Sequence, residues 1–237
     1  MAAIRPPRPA IGLSLFLLLG GCTWGVGGRE TESTLMHRRF SRTFELQTGI
    51  IQGDLGKAKA GAAWLVEGTE TESASTATEE HLTRLRGYAA LISQAETIEA
   101  AARQTGQLAG ACGDCHRAAG GGPHFVIGTD MPDGRGLTQR MIRHFWAADR
   151  MWEGLVGPSE EAWAAGASAL DAEWILPEDL ERGAGSVDAA EAYARRIREL
   201  AGDARSATGQ EERASVYGAL LGTCNGCHQA VGVEGGA

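Results

Sequence analysis

The pentapeptide Cys112-Gly113-Asp114-Cys115-His116 returns near the C-terminus as Cys224-Asn225-Gly226-Cys227-His228. Nothing else in the chain limits its folding options as much. The two thiols of each copy lie about one helical turn apart, and the histidine that follows reaches out from the same side. Such a set can hold a planar group by two sulfurs and its metal by one imidazole. Cys-x-x-Cys-His is the attachment pattern of a c-type haem. A bare Cys-x-x-Cys would equally suit a dithiol redox pair or half of a zinc site. The appended histidine and the repetition favour two covalently bound c-type haems. Cys112, Cys115, Cys224 and Cys227 would form the thioethers, and His116 and His228 would ligate iron.

The five cysteines are then accounted for: four in the motifs and Cys22, with none over for a structural disulfide. Residues 1–21 have the form of an export leader. Arg5 and Arg8 precede an apolar run from Ile11 to Leu19 that is too short to span a bilayer as a stable helix. The run ends in Leu19-Gly20-Gly21-Cys22, which resembles the lipobox of bacterial lipoproteins. That resemblance implies cleavage before Cys22, lipidation of its thiol, and a periplasmic or otherwise extracytoplasmic protein anchored to a bacterial membrane. An uncleaved anchor or an ordinary secretory signal is the alternative. Residues 22–34 form an expected flexible tether. The formal charge of −8 becomes −10 when Arg5 and Arg8 leave with the leader. An acidic surface repels phosphate backbones, so nucleic acid is not an expected partner, and it favours docking to a basic patch on a redox partner protein.

The rest of the chain is an internal duplication. Met36 to Leu65 aligns without gaps on Met141 to Leu170, pairing Met36 with Met141, Phe40 with Phe145, Gly49 with Gly154 and Gly61 with Gly166. Glu99 to Gly120 aligns likewise on Glu211 to Gly232, pairing Gly106 with Gly218 and Gly110 with Gly222. The register changes by seven residues between the blocks, which places an insertion in the second copy near Asp203 to Gln210. The expected organisation is a haem lobe over 35–122, a Gly-rich linker over 123–138 and a second lobe over 139–233.

Both copies are rich in Ala, Leu, Glu, Gln and Arg and poor in β-branched residues. This composition predicts helices over 36–52, 54–67, 80–95 and 97–116, then over 139–155, 159–172, 187–202 and 210–228. Pro158-Ser159-Glu160-Glu161 supplies a cap and an acidic first turn where the sixth of these begins. The expected fold is all-α: two tandem four-helix-bundle-like repeats, each ending in its haem motif.

A haem motif closing the fourth helix of such a unit, with Ile50-Ile51-Gln52-Gly53-Asp54 ending the first, resembles the cytochrome c′ family. The ordinary small cytochrome c carries its motif early and its methionine later. Here nine residues follow His228, and none is Met or His. The resemblance implies that a first-helix residue faces the distal side of each haem, where Met gives six-coordinate iron and a bulky apolar residue leaves it open to small gases. On that reading Met36 and Met141 are the expected sixth ligands. Met141 shares a helical stripe with Phe145, Ala148, Trp152 and Leu155. His37 and His144 are the alternatives, and they are not equivalent: His37 aligns with Ile142, and His144 with Arg39. Of the other histidines, His81 is expected at the solvated surface, and His124 is a lesser candidate for a haem-edge contact.

No nucleophile, base and oxyanion constellation accompanies the motifs, so no enzymatic activity is expected. The sequence points to a membrane-tethered, extracytoplasmic dihaem cytochrome c that carries electrons between partners. The alternative is a gas-binding or sensing cytochrome c′-like protein with an open distal site. A dihaem peroxidase would need a distal acid–base residue, for which only His37 and His144 offer themselves.

Overall fold

The computed structural model describes residues 32–69, 76–123, 130–172, 175 and 186–232. The leader, Cys22 and His124 lie outside these residues. Eight helices and no strand occur among the described residues. They are α1 (Glu32–Gln52), α2 (Leu55–Thr69), α3 (Thr76–Ser93), α4 (Ile98–Ala118), α5 (Leu137–Val156), α6 (Glu160–Ala172), α7 (Val187–Ser206) and α8 (Gln210–Ala230). None is long and apolar enough to cross a membrane.

Local chemistry sets the helix ends. Asp54 Oδ1 accepts from the Lys57 amide at 2.8 Å at the start of α2, and Thr97 Oγ1 accepts from the Ala100 amide at 3.2 Å at the start of α4. Ser159 Oγ accepts from the Ala162 amide at 3.2 Å ahead of Glu160 and Glu161, the start that the sequence predicts for α6. Both motif-bearing helices end at a glycine with positive φ, Gly120 at 69° and Gly232 at 73°. Each supplies the left-handed residue that closes a helix C-terminus.

One difference concerns the change of register between the sequence-aligned blocks. The chain from α2 to α3 is much shorter than that from α6 to α7. Leu85, Ala89 and Ile92 of α3 already match Ile197, Ala201 and Ala204 of α7 in the register of the motif blocks, and all six are buried. The extra residues therefore enter ahead of α7, not near 203–210.

The most extensive packing joins α4 to α8. Gly106 faces Ala214 and Gly218, Gly110 faces Ala214, and Gly222 faces Ala102 and Glu99. Contacts that advance along α4 thus retreat along α8, and the two helices run antiparallel. The approach is backbone on backbone. A Cβ on Gly106 would collide with the Ala214 carbonyl and lie 2.7 Å from the Gly218 nitrogen; one on Gly218 would lie 3.0 Å from the Ala102 carbonyl oxygen. Around this pair, α1, α2 and α3 pack in sequence onto α4, and α5, α6 and α7 pack in sequence onto α8. Cross-contacts of α1 with α8 and of α4 with α5 tie the two halves together. Leu46, Leu65, Ile92, Leu108, Trp152, Trp163, Leu200 and Tyr217, one from each helix, belong to a single core cluster. The two halves share one hydrophobic interior. Arg143, 7% exposed, also donates through Nη1 to the Gly134 carbonyl at 2.9 Å and pins the connection ahead of α5.

The apolar stripe of α5 is buried at Ala148, Trp152 and Leu155, but Phe145 is 39% exposed. Met151 is buried in the core and Met131 is exposed in the connection between halves. Trp163 is buried, and its indole N–H donates to the Ala204 carbonyl at 2.8 Å. One polar knot interrupts this interior. Gln47 Nε2 donates to Tyr217 Oη at 2.9 Å and to Asp149 Oδ1 at 3.2 Å, and the Tyr217 hydroxyl donates to the Ala148 carbonyl at 3.1 Å. The ring of Tyr217 packs on Trp152 with centroids 5.8 Å apart. Burial pushes the Asp149 carboxyl up to about 6, against the opposing pull of the Gln47 hydrogen bond and the Arg150 charge.

The close crossing predicts that Gly106→Ala lowers stability by about 2 kcal/mol or more, because the obstacle is backbone and cannot step aside. Gly202→Ala, with nothing within 4 Å on an exposed part of α7, should instead gain about 0.5–1 kcal/mol. Urea unfolding followed by far-ultraviolet circular dichroism checks both. Asp149 gives a second expectation. Its folded-state carboxyl holds a proton between about 4 and about 6 that the unfolded chain releases. The stability linked to that proton is present at low pH and is lost as pH rises through about 6. Asp149→Asn should raise the melting midpoint at neutral pH and flatten the decline across that window.

Candidate functional site at the ends of two helices

Both Cys-x-x-Cys-His segments occupy the last turns of α4 and α8. In a helix, positions i, i+3 and i+4 share a face, so each pair of thiols and the following imidazole project together. All four cysteines are free thiols; Cys227 is buried and the others are half-buried. Burial pushes the Cys112 and Cys224 thiols up to about 12 and raises that of Cys227 as well. At Cys112 the Arg39 charge works the other way, without overcoming burial. These are protonated thiols, unlike the low-pKa cysteines of disulfide-exchange sites. Among the described residues no group of three or more His, Cys, Asp or Glu side chains converges as a metal cage.

The imidazoles are fixed from behind. His116 Nδ1 lies 2.6 Å from the Val156 carbonyl oxygen, and His228 Nδ1 lies 3.0 Å from that of Ile51. A carbonyl only accepts, so each bond requires a proton on Nδ1, and in the neutral ring Nε2 is then the nitrogen with the lone pair. This is the tautomer of a ligating histidine with its second nitrogen anchored. Ile51 and Val156 are partners in the sequence alignment, yet each clamps the motif of the opposite half. The last turn of α5 closes on α4, and the last turn of α1 closes on α8.

The fit around each motif is tight and differs in detail. At Gly113 a Cβ would collide with the Leu155 carbonyl oxygen. The aligned position is Asn225, 1% exposed, whose amide nitrogen lies 2.6 Å from where a Cβ on Gly53 would stand. Gly226 sits under the ring of Tyr193, whose nearest carbons are 2.5 Å from a Cβ there.

Beside the second motif lies a mostly apolar cleft of about 520 Å³, counted to its open mouth. Cys224, Cys227 and His228 form one side, and Met141 and His144 of α5 reach into it from another. Ile51, Phe145, Ala148 and Ile197 make up much of the wall. Met141 and His144 are thus both brought to the motif. In the first half Met36 is half-buried, and its Sδ lies 3.8 Å from Arg39 Nη1 as a hydrogen-bond acceptor. His37 is exposed, and its Nδ1 lies 2.7 Å from the Ser33 carbonyl of its own helix. His81 is half-buried in α3, where the sequence suggests solvent.

The sequence alone did not reveal the reach of the Arg39 charge to Cys112 or the two carbonyl clamps. The internal alignment carried a signal for the first, since it sets Arg39 over His144. The clamps are main-chain groups and leave no residue-type signature.

No protein-family model, no curated protein and no solved structure matches this chain.

The contrast between the two motif glycines is testable. Gly113→Ala meets an immovable carbonyl and should lower stability by about 2 kcal/mol or more, with loss of the His116 clamp. Gly226→Ala meets a ring that can swing outward and should change stability by less than about 1 kcal/mol. Chemical denaturation of the two variants side by side reads the difference.

Proposed function

We propose that the protein is an extracytoplasmic, lipid-anchored dihaem c-type cytochrome, built from two sequence-related four-helix units and carrying electrons between redox partners. The observation that carries this reading is the clamped imidazole. Each Cys-x-x-Cys-His histidine has its Nδ1–H engaged by a main-chain carbonyl, which leaves Nε2 as the ring nitrogen that can bind a metal. The donor set fits haem: two thiols and an imidazole on one helix face, beside an apolar cleft at the second motif. Bound haem supplies the one-electron couple of its iron. The chain's residues do the rest. Cys112, Cys115, Cys224 and Cys227 fix the group covalently, His116 and His228 hold the metal, and the apolar walls limit water. Met141 or His144 at the second motif, and at the first Met36, whose sulfur accepts from Arg39, are the candidates for a sixth bond.

The antiparallel pairing of α4 and α8 supports a carrier role, because it sets the motifs at opposite ends of the molecule. An electron could then enter at one end and leave at the other. The formal net charge, −8 for the whole chain and −10 without Arg5 and Arg8, favours a basic partner surface. The extracytoplasmic setting and the anchor rest on residues 1–22.

Maturation in cells that carry the haem-attachment machinery should yield a chain two haem masses heavier, with a Soret band and two haems per chain by pyridine haemochrome. Replacing Cys112 and Cys115 with Ala should leave one haem. A product without haem, or one carrying zinc on these thiolates, would overturn the reading. Electron exchange with a basic redox protein should slow as ionic strength rises.

A further inference from the structure

The two motif ends share a backbone plan but not their chemistry. The alignment that sets Met36 over Met141 also sets Arg39 over His144. On α5, Met141 and His144 both line the cleft with His228. On α1, the same turn carries Met36 and Arg39. Arg39 is only 6% exposed, and its guanidinium Nη1 sits 3.8 Å from the Met36 sulfur. Its helix packs against α4, and its charge is felt at the Cys112 thiol.

Imidazole and guanidinium have opposite aptitudes for iron. A neutral imidazole nitrogen is a strong ligand. A guanidinium has no lone pair to give and stays charged at any working pH, while its N–H fork is suited to anions. The thioether that could otherwise close the first site, that of Met36, is engaged by the same guanidinium.

Resting on the dihaem reading, we propose that the two haem sites differ in purpose: His144 of α5 completes the second site from within, and Arg39 makes the first site a receptor for one small anion. The ligand class is a monovalent nitrogen- or oxygen-donor anion of a few atoms. It would give a lone pair to ferric iron at the first site, and Arg39 would offset its charge by hydrogen bonds. No electron is transferred in this step, and burial of the guanidinium strengthens its hold on the anion.

The test uses the mature ferric dihaem protein with sodium azide as probe, followed by visible spectroscopy and low-temperature electron paramagnetic resonance. Haem content per chain, measured first, tests the dihaem reading by itself. With two haems present, one azide per chain should bind, at the first site. Arg39→Gln should weaken azide about tenfold or more while leaving the binding of neutral imidazole little changed. Arg39→Lys should retain most of the azide affinity, which covers the case in which the glutamine variant fails to mature. His144→Ala should alter the low-spin signal of the second haem, by loss of its second imidazole or its exchange for Met141, and leave azide binding at the first intact. Two azides per chain, none at all, equal losses of azide and imidazole in Arg39→Gln, or an unaltered second-haem signal in His144→Ala would each overturn the proposal.

Discussion

The backbone contact between α4 and α8 governs the architecture. Helices with ordinary side chains at their interface keep their axes roughly 8–10 Å apart. Here glycines at 106 and 218 remove that spacing, and a Cβ at the first would run into the opposing main chain. The two motif-bearing helices therefore approach most closely here, and the order of their contacts makes the pair antiparallel. At 1.5 Å of rise per residue, His116 and His228 lie on the order of 30 Å apart along the pair. Six other helices then wrap around this axis and fill one interior.

The crossing also explains why neither motif is served by its own half alone. With α4 and α8 head to tail, the end of α4 emerges beside the last turn of α5, and the end of α8 beside the last turn of α1. The carbonyls of Val156 and Ile51 are where the imidazoles need an acceptor. Both α1 and α5 consequently reach both ends of the molecule. Helix α5 brings Met141 and His144 to the second motif and the Val156 carbonyl to the first. Helix α1 brings Arg39 toward Cys112 and the Ile51 carbonyl to His228. A displacement of either helix would be felt at both sites, because protein interiors are too densely packed to absorb it locally.

Helices were legible in the sequence because their signals are local. Ala, Leu and Glu content, the Ser159 cap and the breaks at Gly53 and Pro158 all act within a turn or two, and the eight segments lie close to where those signals put them. The grouping of Cys, Cys and His was legible for the same reason. The single shared core was not. Gly106, Gly110, Gly218 and Gly222 stood out as repeat matches, and their four-residue spacing on two helices was the trace of a close crossing. Small residues at that spacing are also common in any alanine-rich helix, so the pattern gains meaning only when a partner backbone is present. The misplaced insertion has a related cause: α3 and α7 match through buried positions rather than identical residues, and identity alone did not register them.

Symmetry in this molecule belongs to the backbone, and difference belongs to the side chains. The elements that match between halves are main-chain devices: positive-φ glycines after each motif, glycines at the crossing, and carbonyls that hold the imidazoles. The aligned side-chain slots diverge where they touch the interior or the motifs. Gln47 answers Trp152, Thr105 answers Tyr217, Gly113 answers Asn225, and Arg39 answers His144. Gln47, Trp152 and Tyr217 of the first two pairs form one asymmetric knot, in which a single tyrosine hydroxyl takes a hydrogen bond from Gln47, donates one to Ala148 and has its ring against Trp152. A tyrosine at position 105 as well would bring a second hydroxyl into the same interior, and it would need a partner there. Two copies of one motif can be held by identical backbone geometry, but a shared core cannot accept two copies of every side chain. Divergence at the centre is therefore a packing requirement, whereas divergence at Arg39 and His144, out at the two ends, is free to follow chemistry.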